Sequence, residues 1–482
     1  MSWESVIGIE VHVELATNSK MFCGCAVGFG EPPNTSVCPT CLGLPGALPV
    51  PNQVALDSII AIGLAFDCSV APTSVFHRKN YFYADLPKNY QISQFDAPIC
   101  LEGHLDVTVD GQTRRVGIER AHMEEDTGKS SHVGDGGRIH GASATLLDFN
   151  RAGVPLVEIV SKPEIHSAAE ARAYAQSLRA VVAELGVSDA RLEEGSIRFD
   201  ANVSIRPIGV ETLGTKVEVK NMNSFRSLER AVQYEIDRQI ALVESDGAVV
   251  QETRHWDEEA GLTRSMRSKE GSSDYRYFAE PDLTPMEMDE AWIDRVAATL
   301  PELPAKRIDR YVGSGLEVSL AEILSGAEAP IRELYEAAVG AGADARSAAN
   351  WVTGEITAWL RREETDADSL PLTGTQLAEL ISLVDEGKVS ASAAKDVLNG
   401  VLDGEGDPGD VATKRDLIQI SDAGTIEAAV DIVLADNPDA FASLRDGEEK
   451  VLGFLVGQVM RATQGKADPK LVNDVIRERV SD

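Results

Sequence analysis

The chain has 482 residues, with 78 acidic against 45 basic side chains and a formal net charge of −33. So acidic a composition argues against a nonspecific nucleic-acid binder, which needs Lys and Arg against phosphates, and the absence of any apolar run of about 18 residues argues against a membrane span. A hydrophobic content of 43 % is enough for a sizeable core, and the length suits two to four domains.

The N-terminus has no basic segment followed by an apolar stretch, so no signal or transit peptide is expected. A strand begins almost at once. In residues 7–15, Ile7, Ile9, Val11, Val13 and Leu15 point one way, and Gly8, Glu10, His12 and Glu14 the other. A Glu and a His two residues apart on one strand face can grip one cation. Cys23, Cys25, Cys38 and Cys41 follow, spaced Cys-x-Cys, twelve residues, Cys-x2-Cys. Four clustered thiols in a long chain suit a structural Zn²⁺ in a reducing, cytoplasmic compartment better than a disulfide framework.

Residues 76–94 interleave His77, Arg78, Lys79, Tyr81, Tyr83, Lys88 and Tyr90, a mixture that can stack on bases and meet phosphates. A second aromatic segment is DYRYFAEPDL at 274–283. His122-Met-Glu124-Glu125-Asp126 is the densest acid cluster beside a histidine, and adjacent carboxylates call for a hard cation such as Mg²⁺ or Ca²⁺. Gly128-Lys129-Ser130 ends like a phosphate-binding loop but has Met123 where that motif needs Gly; the Gly cluster at 134–137 fails the dinucleotide pattern at Ile139. Glu158, inside the apolar run PLVEIV, is an acid in a buried strand and needs a partner or a metal.

A helix is expected after Ser167, which with Glu170 makes a capping box, with Tyr174, Leu178, Val181 and Leu185 as its apolar stripe and Gly186 as its stop. The segment SIRFDANVSIR repeats the alternation of the first strand: Arg198, Asp200, Asn202, Ser204 and Arg206 share one face. KVEVK then groups Lys216, Glu218 and Lys220. Three strands with mixed-charge faces predict one polar basin built by a sheet. A second long helix, from about Arg226 to Ser245, carries Leu228, Val232, Ile236, Ile240 and Val243 on one side.

Strand signals nearly vanish after about residue 292. The expectation is an α+β chain of three domains: residues 1–292, mixed α and β; 293–409, helical; and 410–482, a second helical unit beyond the polar hinge DGEGDPGD. Charge differs between these parts. Residues 355–410 hold 13 acids and 4 bases, whereas residues 450–480 hold 6 bases and 3 acids, so the tail can meet a phosphate backbone. Arg461, Lys466 and Lys470 are the candidates there.

The ordered segments IGIEVHVEL, RKNYFYADLPKNYQISQFD, HMEEDTGKS, NRAGVPLVEIVS, EEGSIRFDANVS, KNMNSF, DYRYFAEPDL and GFLVGQVMRATQGKADP resemble the B subunits of bacterial aspartyl/glutamyl-tRNA amidotransferases over essentially the whole length. The resemblance implies a cradle-shaped N-terminal domain, a helical middle domain and a tRNA-binding tail. It implies a heterotrimer with an amidase subunit and a small bridging subunit. By resemblance, Glu10, His12, Glu125 and Glu158 form the Mg²⁺ neighbourhood, with Glu124 close by.

The implied chemistry is ATP-dependent phosphorylation of the side-chain carboxylate of Glu or Asp carried on tRNA, followed by displacement of phosphate by ammonia. Lys79, Arg198, Lys216 and Lys220 are candidates for phosphate contacts. Asp200 and Asn202 would orient the metal or substrate. Tyr81, Tyr83, Lys88 and Glu218 complete the expected substrate and ATP site. No amidase Ser-Ser-Lys signature is visible, so ammonia is expected from a partner. A noncatalytic tRNA scaffold and a metal-dependent hydrolase are the other classes to weigh; ATP turnover with aminoacylated and bare tRNA separates all three.

Overall fold

The computed structural model describes residues 2–28, 30–133, 142–268, 275–419, 423–463 and 466–481. The Gly cluster at 134–137, Asp274 and residues 464–465 of the tail motif lie outside these. Two compact units are present, Met1–Pro304 and Ala305–Asp482. The chain is α+β: among the described residues the last strand is Met286–Glu287, and only helices follow it. Among the described residues no helix is long and apolar enough to cross a membrane.

The first unit is organised by a nine-stranded sheet. Its strands in chain order are β1 (Trp3–Glu14), β2 (Ser69–Val70), β5 (Cys100–Val109), β6 (Gln112–Glu125), β7 (Pro155–Ser161), β8 (Ile197–Pro207), β9 (Val217–Lys220), β10 (Glu252–Asp257) and β11 (Leu262–Ser268). The intervening β3 (His77–Asn80) and β4 (Tyr90–Ser93) form a separate hairpin, which Phe278–Ala279 extends on the β3 side. The main sheet runs β11-β10-β9-β8-β1-β7-β6-β5-β2. Every neighbouring pair is antiparallel except β9 and β10.

Period-two alternation sorts the central strands. Ile7, Ile9, Val11 and Val13 are fully buried, together with Val157 and Ile159 on β7 and Phe199, Ala201 and Val203 on β8. Helices α1 (Gln53–Ala65), α2 (Ala168–Glu184) and α3 (Phe225–Glu244) contribute most of the helical part of this core. Ser167 caps α2 by accepting from the Glu170 amide at 3.1 Å, and the Glu170 carboxylate reaches back to the amide of His166 at 2.8 Å. The return bond thus lands one residue earlier than a capping box requires. Gly186, at φ +66°, takes the left-handed position after the helix. On α3, the fully buried Glu235 is offset by Arg238 at 2.6 Å and by hydrogen bonds from Gln239 and Thr263.

Helix Glu290–Ala297 belongs to the first unit. Val296 is buried in its core, and Trp292 and Arg295 bond to Asp57 of α1 at 2.7 and 3.0 Å. The second unit holds two separate apolar cores, one around Tyr335, Leu377, Ile381 and Val397, the other around Ile426, Leu455, Val459 and Ile476. Helix Pro408–Lys414, which includes the end of the polar DGEGDPGD stretch, joins the first of these through Val411 and Ala412.

Close packing of α1 on the sheet gives a stability test. A Cβ placed on Gly63 would lie 2.3 Å from Cys100 Sγ and 3.1 Å from Cys100 Cβ. Gly63→Ala should therefore destabilise the first unit by about 1–3 kcal/mol, despite the higher helix propensity of alanine. The pair Gly63→Ala with Cys100→Ala should recover most of it, as read by thermal unfolding. A single variant as stable as wild type would show that the helix shifts freely.

Candidate functional site

The face of the central sheet opposite the apolar one carries the charge. His12 on β1 lies opposite Glu158 on β7 and opposite Arg198 on β8, and Glu158 lies opposite His122 on β6. One cross-strand row therefore reads His122–Glu158–His12–Arg198. Glu158 Oε2 stands 3.5 Å from His12 Nε2 and 3.5 Å from His122 Nε2, and His122 Nε2 is 3.6 Å from Glu124 Oε1. The hairpin closes over this end. Lys79 of β3 approaches Glu124 Oε1 at 3.5 Å, while Ser93 and Gln91 of β4 donate to Glu124 at 2.9 and 3.1 Å.

These groups set one another's charge. Burial opposes ionisation of Glu124, but Lys79 and His122 outweigh it and hold the carboxyl well below its usual range. Glu158 is held at about 2: burial and Glu124 push it up, and His122 and His12 more than offset them. Burial disfavours charge on His12, yet Glu158 and then Glu124 raise its pKa overall. Lys79 is raised by Glu124 against burial. One ligand atom from each of His12, Glu124 and Glu158 lies within 4.8 Å of the others. Two buried carboxylates and an imidazole converging in this way fit a divalent cation.

A second acid group occupies the next row. Glu10 lies opposite Asp200, and one oxygen each of Glu10, Asp200 and Glu218 falls within 4.8 Å. Asn202 donates to Glu10 at 2.9 Å, Lys220 pairs with Asp200 at 2.7 Å and Glu218 at 3.2 Å, and Thr253 donates to Glu218 at 2.7 Å. Burial, then repulsion from Glu158, raises the Glu10 pKa. Ser204 is buried, and its hydroxyl donates to the Val6 carbonyl. Lys216 is exposed just ahead of β9. Arg198 turns to Asp126, at 3.2 Å.

Glu125 lies apart from the metal-sized group. Its Oε1 accepts from the Ile92 amide at 2.8 Å and pairs with Lys88. It lines a 270 Å³ pocket with Cys41, Gly153, Arg78 and Tyr90. The physical reason is parity: on one strand Glu124 shares a face with His122, so Glu125 must point the other way. The same rule, applied to β6, would have singled out Glu124 with His122. Ser93 and Gln91 carried no sequence signal, because only the hairpin's docking brings them to Glu124. Tyr81 packs 5.9 Å from Tyr83 and 6.0 Å from Tyr275, and Tyr83 is exposed.

Cys23, Cys25, Cys38 and Cys41 bring their sulfurs within 4.8 Å of one another. Cys38 and Cys41 Sγ are 3.9 Å apart, close to the roughly 3.8 Å edge of a tetrahedron with Zn–S bonds of about 2.3 Å. The Cys38 amide donates to Cys41 Sγ at 3.1 Å, and the buried Lys20 ammonium stands 3.8 Å away. A hydrogen bond from Cys23 leads in pulling the Cys41 thiol down to about 5, with the Cys38 amide and Lys20 assisting against burial. Four converging thiols, one already favouring the thiolate, fit a closed structural metal site.

In the second unit, Arg461 stands exposed in the last turn of helix Lys450–Ala462. Lys466 pairs with Asp416, and Lys470 is exposed in the first turn of helix Pro469–Ser481.

Known proteins match the chain along its length. Residues 5–294 match the family model described as the GatB/GatE catalytic domain, and residues 333–480 match the GatB domain. The B subunit of the aspartyl/glutamyl-tRNA(Asn/Gln) amidotransferase of Moorella thermoacetica is 50 % identical over 481 residues, covering 100 % of both chains. The B subunits of the same enzyme from Carboxydothermus hydrogenoformans and a Picosynechococcus species are 47 % and 48 % identical, each covering 99 % of this chain and 99 % and 98 % of their own. With half its residues identical along the full length of such a relative, the chain belongs to the family of aspartyl/glutamyl-tRNA(Asn/Gln) amidotransferase B subunits.

Proposed function

We propose that this chain activates the side-chain carboxylate of Glu-tRNA(Gln) or Asp-tRNA(Asn) with ATP and then lets ammonia displace the phosphate, leaving the amide. Family membership supports the coarse part, a component of a tRNA-dependent, glutamine-hydrolysing amidotransferase and hence of a carbon–nitrogen ligase. The observation that supports the activating step is the group His12, Glu124 and Glu158 at the end of the basin. Two ionised carboxylates buried side by side suit a cation, and a noncatalytic scaffold has no use for them.

Ammonia does not attack a carboxylate anion, which repels nucleophiles and offers no leaving group; an acyl phosphate removes both faults. His12, Glu124 and Glu158, with Glu10 in the next row, would hold Mg²⁺, which would supply charge neutralisation to the phosphate oxygens. Ser93 and Gln91 fix the orientation of Glu124, and Asn202 fixes that of Glu10. Lys79 and Lys220 are each held by carboxylates here, so they meet a substrate phosphate by exchanging partners. The partners in this reading are an amidase subunit that releases ammonia and a small bridging subunit. Zn²⁺ on the four cysteines is structural, and the C-terminal helices bind tRNA.

In the assembled amidotransferase, Glu124→Gln and His12→Ala should each lower ATP hydrolysis that depends on charged tRNA by at least about 100-fold. Binding of tRNA should persist. Glu125→Gln should instead lower thermal stability, by about 3–5 kcal/mol, because it leaves the buried Lys88 ammonium unpaired. Wild-type turnover in either of the first two variants would sink the cation site, and equal ATP consumption with bare tRNA would sink the activation reading.

Elemental analysis should find about one zinc per chain, retained through dialysis. Cys41→Ser should lose the metal and lower the unfolding temperature of the first unit. Metal-free protein of unchanged stability would contradict the structural role.

Removal of residues 423–482 takes away the second apolar core of the helical unit with Arg461, Lys466 and Lys470. The Michaelis constant for charged tRNA should rise and its dependence on salt weaken, with residual turnover intact. Unchanged tRNA affinity would show that these helices only pack or meet protein partners.

A further inference from the structure

Aromatic rings gather at one margin of the basin, and several face solvent. Tyr83 and Phe95 are each 57 % exposed and Tyr275 is 37 % exposed. The segments that supply this margin are pinned together: the Asn80 amide donates to the Tyr275 carbonyl at 2.8 Å, and the Asn80 side chain donates to the Arg276 carbonyl at 2.8 Å. Phe95 and Tyr277 already stack, with centroids 4.4 Å apart and planes 14° from parallel. Tyr275 stands edge-on to Tyr277 at 6.2 Å and to Tyr81 at 6.0 Å. Fixed rings held partly in water are a poor use of apolar surface unless something covers them.

The position of the rim indicates what covers it. Lys79 connects rim and acid cluster directly: its Nζ lies 5.5 Å from the Tyr275 ring centroid and 3.5 Å from Glu124. In the reading proposed above, on which this inference rests, the reacting carboxylate belongs to an amino acid esterified to the last ribose of tRNA. A short ester tether keeps the base of that nucleotide on the order of 10 Å from the carboxylate. A base so tethered, unpaired at the end of a single strand, must lie beside the basin, and exposed aromatic rings are the surface that holds such bases.

We propose that Tyr83, Phe95 and Tyr277 form a stacking rim for the terminal adenine of the tRNA 3′ end, and that this contact sets the reach of the aminoacyl group into the basin. The rim is uncharged in its rings and acts on the base, whereas phosphate contacts fall to the cationic residues.

The test uses the assembled amidotransferase and two small substrates, glutamate esterified to the 3′-oxygen of adenosine and the same ester on an abasic ribose. Wild type should favour the adenosine ester in ATP-dependent phosphate release, by roughly 5- to 150-fold in kcat/KM. Phe95→Leu and Tyr277→Leu should each shrink that preference toward unity while leaving the KM for ATP in place. A wild type that consumes ATP yet treats the two esters alike overturns the rim. A preference surviving in both variants, a raised KM for ATP, or loss of the partner subunits on gel filtration overturns it too, the last two by assigning the rings to the nucleotide or to a subunit interface. If wild type consumes no ATP with charged tRNA, the activation reading itself fails, an outcome separate from these.

Discussion

Two carboxylates, Glu124 and Glu158, are buried close together and both stay ionised. Their mutual repulsion in a poorly solvated place determines what must surround them. His122 stands between them, Lys79 caps Glu124, and His12 faces Glu158. Each compensating group comes from a different part of the chain, so the arrangement exists only when the sheet and the β3–β4 hairpin are both in place. A site that depends on so many elements is hard to build by chance, and its three converging ligand atoms leave room for a cation beside the cationic side chains.

That charge arrangement depends in turn on the sheet having two unlike faces. The residues between the polar ones on β1, β7 and β8 form one continuous core with α1, α2, α3 and helix Glu290–Ala297. A slip of one residue between β1 and β8 would carry Glu10 and His12 into that core and Ile9 and Val11 into the basin. Apolar burial on one face thus fixes the register that aligns His12 with Glu158 and Glu10 with Asp200. The four-cysteine loop lies elsewhere. Its cysteines sit beside Lys20 and Gly153, on the side to which Glu125 turns and away from His12, Glu124 and Glu158.

Much of this was legible residue by residue. Alternation identified β1, β8 and β9 and placed Glu10, His12, Asp200, Asn202 and Glu218 on one face. The stripe from Tyr174 through Leu178 and Val181, with Ser167 ahead of it, identified α2. The cysteine spacing announced its cluster. Less could be read from the HMEED segment: the resemblance set Glu125 in the Mg²⁺ neighbourhood with Glu124 close by, whereas in the fold Glu124 faces His12 and Glu158 and Glu125 turns to Lys88. Pairing of cations was also hidden: Arg198 meets Asp126, and Lys220 meets Asp200 and Glu218.

Short segments of the chain are enough to specify the two faces of each central strand, the switch from mixed to all-helical structure after Met286–Glu287, and the presence of a thiol cluster, because each follows from a local period or spacing. Folding alone settles that Glu124 joins His12 and Glu158, that Ser93 and Gln91 hold it, and that the rings of Tyr81, Tyr83, Phe95, Tyr275 and Tyr277 share one margin. Sheet order and hairpin docking bring together residues far apart in the chain, and no local pattern encodes which distant strand becomes a neighbour.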